Sequence, residues 1–244
     1  VRIPRLWIPA TLSRDAVVAL PAETAHYLRS VLRLAVGAEV VVFDGEGVEC
    51  RGLLARLGRQ DGEVHLTGAP SEPQRESPLA ITLLQGISRG ERMDLVMQKA
   101  VELGVRRIVP VLCVRTGVQL SGERAAKRQA HWQGILAHAA AQCGRARLPA
   151  LSAPLSLTDA VALTAQDADL RLMLEPAADT GLEERPAPAS AALLIGPEGG
   201  LDGKEQRLAR DQGFQGIRLG PRILRTETAA LVAVSVLQAR WGDL

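Results

Sequence analysis

The chain of 244 residues carries a formal charge of only +2, with 47% hydrophobic and 23% charged residues. These values exclude a polycation and a low-complexity chain; they fit a globular protein long enough to bury a real core in one large domain or two small ones. No apolar run approaches the roughly 20 residues that a membrane-spanning helix needs. The opening "VRIPRLWIPA" lacks the continuous apolar stretch of a secretion signal. Cys50, Cys113 and Cys143 are odd in number and have no paired spacing, which favours reduced thiols and argues against a zinc site. The expectation is a cytoplasmic protein with no metal and no membrane. Its basic residues are nearly all arginine, Lys99, Lys127 and Lys204 being the lysines. Arginine forks to phosphate and stacks on bases, which permits an RNA partner, although a GC-rich or thermophilic genome would give the same bias. Aromatics at 2% argue against base stacking on aromatic platforms as the main binding mode.

Residues 1–69 read as a small β-rich unit. After an N-terminal strand, "PAETAHYLRSVLRLAVG" is helical by periodicity, with Ala25, Leu28, Val31 and Leu32 on one face. "EVVVFDGEGVECRGLLARL" is strand, Asp-Gly-Glu-Gly turn and strand, and "GEVHLTGAP" alternates as a third strand. Three prolines in "APSEPQRESP" mark a linker over 70–78.

From residue 79 onward, strands and helices alternate. "LAITLLQGI" is a strand, "ERMDLVMQKAVELGV" a helix, "RRIVPVL" a strand, and "ERAAKRQAHWQGILAHAAAQCG" a long helix closed by Gly144. A Ser-capped helix in "SLTDAVALTA" precedes the strands "LRLMLEP" and "ALLIG". The helix "DGKEQRLARDQG", the strand "GIRLG" and a last helix over 226–241 complete the pattern. This alternation predicts an α/β domain with a mostly parallel sheet covered on both faces. Met93 and Met97, four apart on a helix, are expected in the core. His26, beside apolar helical positions, is expected to be packed. The last helix is apolar on most of its circumference, which suggests burial against the sheet and a partner subunit.

Ligands of open parallel sheets sit beyond the carboxyl ends of the strands. Three such ends stand out: "LMLEP", "IGPEGGL" and "IRLGPRILRTET". Each could be only a turn, with Arg218, Arg222 and Arg225 a solvated face and 226–228 a helix cap. Two Gly-Pro strand ends, if adjacent, would instead form a slot of backbone N–H and C=O groups. Such a slot suits an adenine edge or a ribose. The phosphate pattern G-x-x-x-x-G-K-[ST] and the dinucleotide pattern G-x-G-x-x-G are both absent.

"LLIGPEGGL" with "LGPRILRTETAA" closely resembles the RsmE family of 16S rRNA uridine-N3 methyltransferases, of the SPOUT class. "RIPR", "VLR", "FDG", "RESPL", "SRGERMD", "QKAVELGV", "QCGR" and "WGDL" resemble that family in the same order, over essentially the full chain. The resemblance implies S-adenosylmethionine (SAM) as methyl donor and 16S rRNA or the small ribosomal subunit as partner. It also implies a homodimer, a PUA-like β-barrel over 1–69 and a trefoil-knotted domain over 79–244. By analogy the cofactor pocket falls on Leu174, Glu175 and Pro176; on Ile195, Gly196, Pro197, Glu198, Gly199 and Gly200; and on Leu219, Gly220, Pro221, Leu224 and Arg225. The family usually has glutamate before "QCGR", where this chain has Ala141. A SPOUT enzyme acting on tRNA or on ribose 2′-OH groups, or a catalytically silent RNA-binding relative, would share these motifs.

Uracil N3 is protonated at neutral pH, so methylation there needs a base, or a cation that stabilises the uracilate through O2 or O4. Arg225 with Glu227 is the expected pair, and Glu198 is the alternative acid. Arg2, Arg5 and Arg33 in the N-terminal unit, with Arg145 and Arg147 after the long helix, are candidate phosphate contacts.

Overall fold

A computed structural model describes residues 3–117, 120, 122–165, 167–179, 181–182 and 186–244; Arg2 lies outside them. The chain divides into two compact units, Val1–Glu76 with Ala137–Leu148, and Ser77–Leu136 with Pro149–Leu244.

The first unit is a five-stranded sheet in the order β1-β3-β4-β5-β2. Its strands are β1 (Arg5–Trp7), β2 (Val17–Leu20), β3 (Glu39–Phe43), β4 (Glu49–Leu57) and β5 (Gly62–Leu66). The predicted hairpin is β3–β4, paired antiparallel. Its turn is organised by one carboxylate, because Asp44 Oδ1 accepts N–H bonds from Glu46, Gly47 and Val48 at 2.7, 3.1 and 3.0 Å. Helix α1 (Ala22–Ser30) inserts Ala25 and Leu28 into a core with Leu6, Val40, Val42, Leu54 and Val64. The predicted apolar face is shorter than its periodicity, because α1 stops at Ser30. Val31 is then 62% exposed, and Arg33 turns the chain at φ 53°. His26 is exposed on α1 rather than packed, with Ser30 Oγ 3.4 Å from its Nδ1.

Arginines also hold segment 137–148 to this unit. The Arg145 side chain, 5% exposed, pairs with Glu76 at 2.6 Å, while its carbonyl accepts from Arg5 Nη2 at 3.1 Å. Arg75 Nη1 donates to Gly144 O at 2.7 Å. Arg5 is itself buried, ion-paired to Glu49 and set over the Phe43 ring at 5.1 Å. Arg5 and Arg145, expected as phosphate contacts, are therefore engaged by carboxylates of their own unit. The sequence could not show this, because the partners lie 44 and 69 positions away.

The second unit is built on a parallel sheet in the order β12-β10-β11-β6-β7-β8, with β9 also pairing β7. The strands are β6 (Ala80–Gly86), β7 (Arg107–Leu112), β8 (Ala150–Leu151), β9 (Leu155–Ser156), β10 (Leu170–Leu174), β11 (Ser190–Ile195) and β12 (Gln215–Ile217). All strand pairings of this sheet among the described residues are parallel. The register places Met173 opposite Leu194 and Leu174 opposite Ile217, so the carboxyl ends of β11, β10 and β12 lie side by side. The two Gly-Pro strand ends are not adjacent as expected; β10 runs between them.

Both faces of the central strands are buried. Leu84, Leu194, Ala192 and Met173 pack with α4 (Leu157–Thr164) and with Ala209 of α5 (Gly203–Asp211). The alternate residues Leu83, Leu193 and Leu172 are fully buried on the opposite face. On that face α6 (Thr226–Trp241) packs against β11 and α2 (Glu91–Glu102). Each such leucine contributes about 1.5–3 kcal/mol of burial, which favours continuous apolar strands such as "SAALLI". Met93 and Met97 are core residues of α2. The long helix α3 is Gly122–Cys143. α4 begins with Ser156 Oγ accepting from Asp159 N at 3.2 Å, and α5 begins with a reciprocal Asp202–Glu205 capping box.

Glu76→Ala, which removes the carboxylate paired with Arg145, is expected to destabilise the first unit by about 1–3 kcal/mol in urea denaturation.

Candidate functional site

The aligned ends of β10, β11 and β12 open into a cavity of about 600 Å³. Its walls include residues 174–176 after β10, 195–201 after β11, and 217–219 with 222–227 from β12 to the start of α6. Every expected cofactor residue lines it except Gly220 and Pro221, which belong to the same loop. Arg225 and Glu227, the expected reactive pair, line it as well.

The floor is a backbone crossing. Gly86 ends β6 directly beneath the 196–200 loop, and a Cβ there would lie 2.4 Å from Pro197 N. Only glycine admits that approach. A Cβ at Gly196 would lie 2.8 Å from Leu201 N, so the loop folds back on itself as tightly as the chain allows. Gly200, at φ +68°, completes the reversal with its N–H donating to Pro197 O at 2.8 Å. The cradle is fastened from α6: Thr226 Oγ donates to Gly196 O at 2.7 Å and accepts from Gln85 Nε2 at 2.9 Å.

Two carboxylates and one guanidinium lie across the cavity. Glu198 Oε1 accepts from Arg89 N at 2.9 Å and from Arg92 Nη1 at 3.0 Å. Burial opposes its ionisation, but the N–H groups of Arg89 and Glu198 and the Arg92 guanidinium outweigh that, holding the carboxyl below its usual range. A carboxylate so held is a weak base and a good anchor. Arg92 Nε also lies 3.9 Å from Glu227 Oε1, so Arg92 bridges the two acids. Glu227 Oε2 is buried and lacks a hydrogen-bond partner among the described residues. Arg225 is exposed at the N-cap of α6 and forms no ion pair with Glu227. Arg92 lies in "SRGERMD", some 130 positions earlier; no local signal placed it beside Glu227.

Other groups have structural roles. Glu175 pairs with Arg210 at 2.5 Å, and the buried Glu205 accepts from Val114 N at 2.7 Å and Asp202 N at 2.8 Å. The Cys113 thiol is pushed up to about 12 by burial and by Glu205, which leaves it protonated and unreactive near neutral pH. Arg33 is exposed in the first unit, and Arg147 is half-buried against the Gly45–Gly47 turn. Among the described residues no group of three or more His, Cys, Asp and Glu could hold a metal ion, and no helix is long and apolar enough to cross a membrane.

A parallel sheet whose strand ends wall a cavity is the arrangement in which α/β proteins hold ligands at the carboxyl edge. Residues 75–238 match the RNA methyltransferase domain family, and residues 20–66 match the RNA methyltransferase PUA domain family. The chain belongs to the ribosomal RNA small subunit methyltransferase E family, within the RNA methyltransferases. It is 32% identical to the protein of that name from Buchnera aphidicola of Schizaphis graminum, over 100% of this chain and 98% of that one. A Legionella pneumophila methyltransferase structure with bound cofactor SAM is 40% identical, with TM-score 0.95 and full coverage of both chains. The Neisseria gonorrhoeae ribosomal RNA small subunit methyltransferase E bound to S-adenosyl methionine is 36% identical, with TM-score 0.89 and full coverage of both.

Thr226→Val removes both bonds of the cradle clasp and is expected to cost about 1–3 kcal/mol in thermal denaturation. A lowered carboxylate pKa contributes stability above the unfolded value, and that stability is lost as pH falls through the folded value. The melting-temperature gap between the wild type and Glu198→Gln should therefore narrow from about pH 7 to about pH 3.

Proposed function

We propose that this protein transfers a methyl group from SAM to N3 of a specific uridine in 16S rRNA, free or within the small ribosomal subunit. In this reading 1–69 is an RNA-holding PUA-like domain, 70–78 a linker, and 79–244 a knotted SPOUT domain that forms a homodimer in the cytoplasm. The observation that carries it is the cavity at three parallel strand ends, walled by backbone and aliphatic side chains with charged groups among them, and with no phosphate loop. The named relatives support the same reading, two of them in structures with SAM bound. The half-exposed apolar residues Leu95 of α2 and Val232 and Val236 of α6 suit a partner subunit.

The residues fit SAM. Leu174, Ile217, Leu219 and Leu224 give apolar walls for an adenine, and the 195–200 backbone gives hydrogen-bonding edges. At Gly200 a side chain would meet no protein atom within 4 Å, which leaves that part of the wall open to a ligand. SAM, when bound, supplies an electrophilic methyl group on a sulfonium sulfur. The protein must then position the uracil and remove its N3 proton. Glu227 lines the cavity and has an oxygen, Oε2, with no donor among the described residues, and its carboxylate accepts that proton. Arg225 at the cavity edge stabilises the charge that develops on a uracil carbonyl oxygen, and Arg92 keeps Glu227 oriented from the other side. Glu198, committed to Arg89 and Arg92, shapes the loop.

Titration calorimetry should show one SAM site per chain. Mass mapping of 16S rRNA nucleosides from cells with and without the gene should show one N3-methyluridine lost. Glu227→Gln should lower kcat by about 10²–10⁴-fold while SAM affinity stays within threefold; a variant with full turnover would remove Glu227 from the mechanism.

A further inference from the structure

Five arginines line the cavity: Arg92, Arg115, Arg218, Arg222 and Arg225, all exposed. Three carboxylates line it with them, and each has a cation: Glu175 has Arg210, while Glu198 and Glu227 share Arg92. Against the one charge that Arg92 leaves uncompensated stand four further guanidinium groups. Arg115 donates Nη1 to the neutral Gly199 carbonyl at 2.8 Å and lies close enough to Asp202 to favour its ionised form. Arg115, Arg218, Arg222 and Arg225 form no ion pair with any described residue. The cofactor proposed above does not explain this excess. A sulfonium and an ammonium against a single carboxylate make SAM a net cation, and a rim with an excess of guanidinium groups repels it. Such a rim suits an anion with several charges spaced along an extended backbone.

Between these arginines stands Ile223, 84% exposed, the most exposed of the large hydrophobic residues among those described. It lines the same cavity, held out by the loop that begins at Gly220, φ +71°. An aliphatic side chain among guanidinium groups offers an unstacked base a dry face while its phosphates meet the cations. In the first unit, by contrast, two of the expected phosphate contacts, Arg5 and Arg145, are engaged by Glu49 and Glu76.

We infer that Arg115, Arg218 and Arg222 bind the phosphodiesters flanking the target nucleotide, and that Ile223 packs against the base unstacked at the cavity mouth. The rim of the catalytic unit is then a single-stranded RNA site in its own right. The inference rests on the proposed function and names the surface through which that substrate enters.

The test measures binding of the full chain to 16S rRNA transcribed in vitro and to a uridine-rich single-stranded oligoribonucleotide across a salt series. SAM affinity is measured in parallel by calorimetry. Arg218→Gln/Arg222→Gln should weaken RNA binding on the order of tenfold at low salt and reduce the slope of log K against log[salt] by about 1.4, about 0.7 for each lost contact. Ile223→Ser should weaken binding to both RNAs while leaving that slope unchanged. SAM affinity should stay within threefold in both variants. Unchanged RNA affinity and slope would overturn the inference, as would a parallel loss of SAM affinity, which would assign the arginines to the cofactor's carboxylate. Arg222→Gln alone, with an expected slope change of about 0.7, decides the matter should the double variant fold poorly. A wild-type chain that binds RNA with the expected slopes but no SAM would defeat the proposed function and leave the rim assignment standing.

Discussion

The Thr226 hydroxyl bridges Gly196 O and Gln85 Nε2, and the cavity is assembled around that bridge. It joins the last residues of β6, the loop after β11 and the first turn of α6 within one hydrogen-bond chain. Gly86 makes the chain possible, since any side chain there would strike Pro197 and push the loop off the sheet. Thr226 also begins α6, so the loop position and the helix position are a single constraint. Glu227, the next residue, is thereby set at the cavity wall, and Arg92 meets it from α2.

α2 and α6 owe their mutual position to a second buried polar contact. Gln238, fully buried on α6, donates to Leu103 O at 2.8 Å and accepts from Ser77 Oγ at 2.7 Å. A buried amide so fully engaged fixes the helix against sliding in a way that apolar packing alone does not. The two helices supply Arg92 and Glu227, so a polar contact beyond the cavity helps set the geometry within it. The rigid part of the site is its floor, built of strand ends and glycines. The arginines of the rim are exposed side chains, suited to a partner that arrives from solvent.

Much of this was legible in the primary structure. Strand-helix alternation from residue 79 and the apolar runs at 80–86 and 190–195 follow from burial on both faces of a parallel sheet. The three strand ends that wall the cavity were readable because a proline turn after an apolar run, Gly-Pro in two of them and Glu-Pro in the third, is a local signal. Less legible were β8 and β9, two residues each, which exist only because β7 offers an edge. The shortened α1 shows the same limit: its periodicity ran on to Leu32, but the helix ended where the chain had to turn back into its own core.

Charge shows the division most clearly. Sequence alone determined which residue types were present and where the glycine-rich strand ends fell, because turn chemistry and hydrophobic periodicity act over a few positions. It could not say which arginines face solvent. Arg5 and Arg145 carry the same side chain as Arg218 and Arg222, yet tertiary contacts bring Glu49 and Glu76 to the first two, and among the described residues no carboxylate pairs with the others. Only the folded chain decided that β10 separates β11 from β12, that Arg92 bridges Glu198 and Glu227, and that Glu198 anchors a loop. The physical reason is common to all of these: an ion pair or a strand pairing depends on distance in space, and these partners lie tens to more than a hundred residues apart in the chain.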